Sequence, residues 1–599
     1  MRAVLFKRIL LGACAALGLV WASAYQSGEA AADPHFQPRK LFFFTAEYDT
    51  LPTPGGMGEQ ERIRAEMAQA IGYDTTVILP GYLSNLNAPE LSGIQTRVVD
   101  HVTVEASRDP VTGKVNRHTA FEVHEWTRPG KPKIWFFSHR PGQGERAYFQ
   151  NAPRNGIRYN PADIEGEAFA VLSRAVAQVI KKRGFDTGFA ADWHTGLLAS
   201  ELLRLGRDGP RVIATIHNGG YTGEFGKELM NQAALDWLQW RPSGRELEGL
   251  DYRGNVSMLK ASLEHSDVIL PVSRGYTEEV LDPRFTEDMA GVYERRSREW
   301  RLVPFDNPVD ASAWDPKDRH HGQITHAFSA ENLAGKALGK VQLQRQLFGD
   351  SGVDPSRPLF SSTSRLVDQK GWSYLAPALE RAVIEFPEAQ WVILGDTEGE
   401  FYPAVEALAR KFPDRVKFLP FRENRSFEHP LTAYSDFNLL LSKYEPFGMT
   451  PPASKLNGTL PIVSFTGGMR STVTHWENGF HVNIAYEGAS SRVLLNESIA
   501  RVLDSFRWAI RTYRDQPHVI ARMRKRAMSD DPSPTPRNGE LIRLVEFVMK
   551  QGPRKLLEAY GPRDPKHLPD ADSLTSAVRA APEAKCVKNA IDVALDQRL

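Results

Sequence analysis

Short, wholly apolar runs alternate along this chain with stretches of helical length and composition. That alternation restricts it to folds built on parallel sheets. Residues 41–45, Leu-Phe-Phe-Phe-Thr, carry no polar face, as a strand covered on both sides requires. The turn Thr-Pro-Gly-Gly-Met-Gly at 53–58 follows, then a helical stretch at 59–71 closed by Gly72. Further strands are expected at 75–79, near Phe189, and at 211–216 and 268–271, with a helix at 164–182. Between 98 and 137 the rhythm breaks. Apolar and polar residues alternate there around Asp-Pro-Val-Thr-Gly, the pattern of an inserted β-hairpin. A second unit repeats the rhythm, with strands at 359–362, 391–394, 416–421, 437–441 and 460–463 and an entering helix over 327–348. Two such units mean an α/β fold of two parallel-sheet domains facing a cleft, with ligands at the C-terminal strand ends. The expected domains are 41–315 and 325–500, followed by one helix at 501–550 returning to the first domain and a peripheral tail at 564–599.

Charge narrows the partners. The chain has 74 Lys plus Arg against 73 Asp plus Glu, so nothing favours nucleic acid or an acidic membrane surface. Two Cys exclude a disulfide scaffold and a Cys-rich zinc module. At the N-terminus Arg2, Lys7 and Arg8 precede an apolar run over 9–22, short for a membrane span, and Ala-Ser-Ala at 22–24. This reads as a signal peptide over 1–24 and an exported protein, with an uncleaved anchor as the alternative. The mature chain keeps only Cys586 and has no internal disulfide. No other stretch is apolar and long enough to span a bilayer, so no membrane partner is expected beyond that segment.

Several strand-to-helix turns carry residues suited to an anion. Gly55 and Gly56 permit close backbone approach beside a helix N-terminus. His194, in Asp-Trp-His-Thr-Gly-Leu, and His217-Asn218 end neighbouring strands, both facing the cleft. Arg365 and Lys370, in Ser-Arg-Leu-Val-Asp-Gln-Lys-Gly, suit a diphosphate by bidentate bonding and by point charge. Tyr444-Glu445-Pro446-Phe447-Gly448-Met449-Thr450 brings an acid and another helix start, and Thr466-Gly467-Gly468-Met469 a second glycine turn. Each turn alone has a purely steric explanation.

Together and in this order, the motifs resemble the glycogen and starch synthase family. Val-Ile-Leu-Pro-Gly-Tyr at 77–82, Thr-Ile-His-Asn at 215–218, Val-Ser-Arg-Gly-Tyr at 272–276 and Gly-Thr-Leu-Pro-Ile-Val at 458–463 extend the match over about 41–550. The resemblance implies the GT-B architecture and a retaining glycosyltransferase. Such an enzyme moves glucose from ADP- or UDP-glucose to an α-glucan, with a nucleotide sugar and a glycan acceptor as partners and neither cofactor nor metal. It implies His194 beside the transferred sugar, Arg365 and Lys370 on the leaving diphosphate, and Glu445 on the sugar. Gly55, Gly56, His217, Asn218, Phe447, Gly448, Met449, Thr450, Gly467 and Gly468 would bind the donor, with the Met449 and Thr450 amides on phosphate. Departures accompany the likeness. Thr53 stands where the family has a lysine, Glu59 where it has Asp, and Phe447 where it has Cys. Asn307-Pro-Val-Asp310 and Asp531-Pro-Ser-Pro534 replace two further motifs, and export is foreign to the family. They leave open a second reading, an exported carbohydrate- or nucleotide-binding protein of weakened turnover.

Overall fold

A computed structural model describes residues 39–560, apart from 50, 52–55, 83–93, 109–114, 142–146, 150–159, 161–163, 207–208, 226–248, 319–323 and 485–491. The expected signal peptide, the tail, Thr53 and Gly55 lie outside the described residues.

The first unit contains β1 (Lys40–Phe44), β2 (Asp74–Pro80), β3 (Arg97–Arg108), β4 (Val115–Trp126), β5 (Lys133–Arg140), β6 (Thr187–Ala191) and β7 (Arg211–Ile216). Three short strands, β8 (Glu224–Phe225), β9 (Asp251–Tyr252) and β10 (Asn255–Ser257), make a small separate sheet before β11 (Val268–Pro271). The main sheet has the order β11-β7-β6-β1-β2-β5-β4-β3. Alternate residues of β1 explain its unbroken apolarity. Phe42 and Phe44 pack with helix Glu165–Lys182, while Leu41 and Phe43 pack on the other face with Ile63 and Met67 of helix Gly56–Ala70.

The 98–137 segment is not an insertion. β5 pairs parallel with β2, and β4 pairs antiparallel with β5, so the hairpin continues the main sheet as its edge. Its alternating pattern is that of an antiparallel edge covered on one face: Val104, Phe121 and Val123 are buried against the same helix as Phe42.

The second sheet is parallel throughout: β12 (Leu359–Thr363), β13 (Gln390–Gly395), β14 (Val416–Pro420), β15 (Phe437–Leu440), β16 (Leu460–Ser464) and β17 (Phe480–Val482), in the order β14-β13-β12-β15-β16-β17. The three-residue β17 was not expected from sequence. The entering helix is Ala334–Phe348, starting later than expected because 327–333 form turns. Phe360 stacks on Trp391 at 4.1 Å and on Phe437 at 4.9 Å at the centre of this core.

The C-terminal segment is three helices rather than one. Arg492–Asp515 and Pro517–Met528 cover the second sheet through Val502, Phe506, Ile520 and Met523. Only Asn538–Tyr560 lies against the first, burying Leu541, Leu544, Val545 and Val548. The two crossovers between the units run side by side, the Val309 amide donating to the Pro532 carbonyl at 2.8 Å. No helix among the described residues is long and apolar enough to cross a membrane.

Candidate active site

The C-terminal ends of β6 and β7 in one sheet face those of β12, β15 and β16 in the other. On the second unit, the turn after β12 and the turn after β15 are stapled together. The Lys443 amide donates to the Gln369 carbonyl at 2.9 Å, and Lys443 Nζ reaches Asp368 at 2.7 Å. Gly371, at φ +79°, ends this turn, and any Cβ there would run into the Leu441 carbonyl. The staple brings Lys370 Nζ within 2.5 Å of Glu445 Oε2, which also accepts from Ser442 Oγ at 2.9 Å. Lys370 and Glu445 thus form one charge-assisted pair, with Glu445 Oε1 lacking a protein partner among the described residues. Arg365, earlier in the turn after β12, is exposed and has no ion pair among the described residues. One uncompensated cation and one paired cation therefore border the cleft.

Helix Thr450–Leu456 starts just past this pair. Pro451 and Pro452 have no N–H, so its start offers only the Met449 and Thr450 amides. Gly448, at φ +81°, makes the turn that leads there. Phe447 is buried with Ile216, Tyr276 and Tyr293 of the first unit, so its ring packs across the seam between the two units. The Gly467 amide donates to Glu279 Oε1 at 2.7 Å and the Gly468 amide to the Pro446 carbonyl at 3.0 Å. Those two amides are committed within the protein. What the glycines supply is close approach, since a Cβ on either would collide with backbone of 445–447.

On the first unit, Asp192 takes φ +53° at the end of β6, a conformation costly for a non-glycine residue. Its Oδ1 accepts from the His217 amide at 2.6 Å and the Asn218 amide at 3.3 Å, which ties the ends of β6 and β7 together. Burial pushes this carboxyl up to about 6. His194 is buried, stacked on Trp193 at 4.0 Å and edge-on to Phe169 at 5.2 Å. Burial and the neighbouring His217 push its imidazole down to about 3, so it is neutral at physiological pH. His217 Nε2 lies 2.9 Å from Glu61 Oε1, and Glu61 pairs with Arg64, whose other nitrogen bonds Asn307.

The two walls touch at defined points. Tyr276 Oη and Tyr444 Oη are 2.5 Å apart, and Tyr276 Oη also accepts from the Gly219 amide at 2.8 Å. Ser273 Oγ donates to the Pro446 carbonyl at 2.6 Å. Gln60 Nε2 bonds Met449 Sδ and the Pro308 carbonyl, each at 3.0 Å, which brings the start of helix Gly56–Ala70 over Met449. Gly56 Cα is close enough that a Cβ would meet Met449 Cγ at 3.9 Å.

The strand ends of the first unit thus carry His194, His217 and Asn218, and those of the second carry Arg365, Lys370, Glu445, Met449 and Thr450. Among the described residues no group of His, Cys, Asp and Glu could hold a metal ion. Sequence reasoning missed the Glu61–Arg64–Asn307 chain, the Tyr276–Tyr444 contact and the roles of Asp192 and Ser442. A signal existed for the first. Gln60, Glu61 and Arg64 share the face that Ile63 and Met67 bury, and charges at core-facing positions mark a buried network.

Two family descriptions match this chain. "Starch synthase catalytic domain" covers residues 40–295, and "Glycosyl transferases group 1" covers 344–500. The glycogen synthase of Treponema denticola is 32% identical over 504 residues, 82% of this chain and 94% of its own length. That of Hydrogenovibrio crunogenus is 31% identical, over 77% of this chain and 90% of its own. Among solved structures, the catalytic domain of starch synthase IV from Arabidopsis thaliana, bound to ADP and acarbose, superposes with a TM-score of 0.68. It is 22% identical and covers 86% of this chain and all of that one, so the likeness is one of fold, the GT-B architecture.

Proposed function

This chain belongs to the glycogen synthase family of glycosyltransferases, and from that premise we propose that it transfers glucose, with retention, from ADP- or UDP-glucose to an α-glucan or related glycan. The observation that carries the proposal is the Lys370–Glu445 pair at 2.5 Å at the strand ends of the second unit, with an unpaired Arg365 earlier in the same turn and a neutral His194 at the end of β6 in the first unit. In this reading Arg365 and Lys370 take up the charge that develops on the leaving diphosphate, work that fixed cations do without reorganising. Glu445, anchored by Lys370 and Ser442 on one oxygen, offers the other to the sugar hydroxyls. His194, held neutral among aromatic rings, accepts from or donates to the sugar. The Met449 and Thr450 amides receive phosphate oxygens. Two basic side chains stand where a cation would serve, so the reading needs no metal, and chelator should leave the rate unchanged.

The test is a screen of the purified chain against ADP-, UDP- and GDP-sugars, with and without α-glucan. Primer-dependent release of the nucleoside diphosphate is expected with at least one donor. Absence of release from every donor would overturn the reading. A second reading, a binding protein of weakened turnover, is favoured by Thr53 and by the two prolines that thin out the amides of helix Thr450–Leu456. It expects tight nucleotide or glycan binding without release, and Thr53→Lys separates the two by raising donor affinity or turnover only in a synthase. Export through residues 1–24 belongs to the same proposal. N-terminal sequencing that found an intact Met1 in a cytoplasmic fraction would remove it.

A further inference from the structure

Glu61 sits on helix Gly56–Ala70 with no exposed surface, and its carboxylate meets a histidine at the cleft floor. Glu61 Oε1 lies 2.9 Å from His217 Nε2 and 3.2 Å from Arg64 Nη1. Arginine only donates, and the carboxylate that pairs with it only accepts. The His217 nitrogen facing that oxygen must therefore carry the hydrogen, since a ring tautomer is set by its partner. Glu61 cannot withdraw. Arg64 holds it from below and is itself bonded to Asn307, while Gln60 on the same helix bonds the Pro308 carbonyl. The His217 backbone is fixed independently, because its amide and that of Asn218 donate to Asp192. Ring and backbone are thus clamped by two different carboxylates. His217 Nδ1 has no protein partner among the described residues, and the side chain keeps 9% of its surface exposed just past the end of β7. The adjoining Gly219 amide bonds Tyr276 Oη, which bonds Tyr444, the neighbour of Glu445.

We propose that Glu61 is a positioning residue that fixes the His217 ring with Nε2 protonated and turned inward, presenting Nδ1 to the donor; this rests on reading the cleft as a nucleotide-sugar site. A ring protonated on Nε2 alone presents Nδ1 as an acceptor, suited to a hydroxyl of the donor rather than to a phosphate oxygen.

Nitrogen-15 spectra of the histidine-labelled full chain, with His217→Gln used for assignment, test the geometry without any need for turnover. A His217 ring protonated on Nε2 alone is expected; a ring protonated on Nδ1, with or without Nε2, overturns the proposal. Kinetics then separate positioning from a merely structural ion pair. Glu61→Leu should lower kcat roughly tenfold or more with little change in donor KM, the cost typical of losing the partner that orients a working histidine. Glu61→Gln should recover most of that loss, because its amide oxygen still accepts from Nε2. Equal loss in both variants would mean that the Arg64 pair alone matters and would overturn the proposal. If the wild type transfers no sugar, the nucleotide-sugar reading fails by itself, and the spectrum still decides the role of Glu61.

Discussion

Lys370 and Glu445 share one short hydrogen bond, so a change in either is felt by both. Lys370→Ala should lower turnover about 10²–10³-fold, the cost of one preorganised donor in a charge-stabilising site. Glu445→Gln should keep nucleotide binding and lose transfer. Because the residues touch, the double variant should lose less than the two single losses combined, which a double-mutant cycle on kcat measures. His194 gives a prediction in pH. Its folded value of about 3 lies below the ordinary 6.5, so the unfolded chain binds more protons between those limits. Its contribution to stability is full above about 6.5 and is lost as pH falls towards 3. Thermal denaturation of His194→Gln across pH 4–7 should show a shallower acid-side decline than wild type, and an identical slope would contradict the burial argument. Arg365, Lys370 and Glu445 drew notice in the sequence as charges in strand-end turns, and their roles came from the family resemblance. Glu61 and Arg64 were passed over, although they fall on the helix face that Ile63 and Met67 bury, because which partners they meet there is decided by long-range packing.

At the level of elements, the joint between the units depends on backbones that nearly touch. A Cβ on Gly275 would collide with the Gly467 carbonyl, so Gly275→Ala must push helix Arg274–Glu279 away from the turn that follows β16. Overpacking of this kind costs about 1–3 kcal/mol. Calorimetry should show that loss together with weaker nucleotide binding, since Glu279 and Ser273 of the same segment hold Gly467 and Pro446. Leu541 tests the returning helix. It is fully buried against β1 and β2, and Leu541→Ala should cost about 2–5 kcal/mol in denaturant titration. A cost near zero would mean that helix Asn538–Tyr560 is not part of the first core. The apolar runs identified most strands to within a residue or two. The amphipathic C-terminal stretch announced helix but could not say which sheet it covers. The hairpin at 98–137 was recognised as a hairpin, yet its continuity with β2 through β5 is a long-range pairing that local alternation does not encode.

For the whole molecule, two sheets oppose their C-terminal strand ends, which carry a carboxylate and two cations on one unit and a buried neutral histidine on the other. The crossovers at Val309 and Pro532 lie side by side, and the Tyr276–Tyr444 contact is a further bond between the units. The central claim is that this cleft moves a sugar from a nucleotide to a glycan. Its most direct test is incorporation of labelled glucose from ADP- and UDP-glucose into α-glucan, by the wild type and by Arg365→Ala, whose exposed side chain can be removed without disturbing the core. Primer-dependent incorporation by the wild type from one of the donors, reduced about 10²–10³-fold in the variant, is the expected result. Equal incorporation by the two proteins, or none by the wild type from either donor, would contradict it.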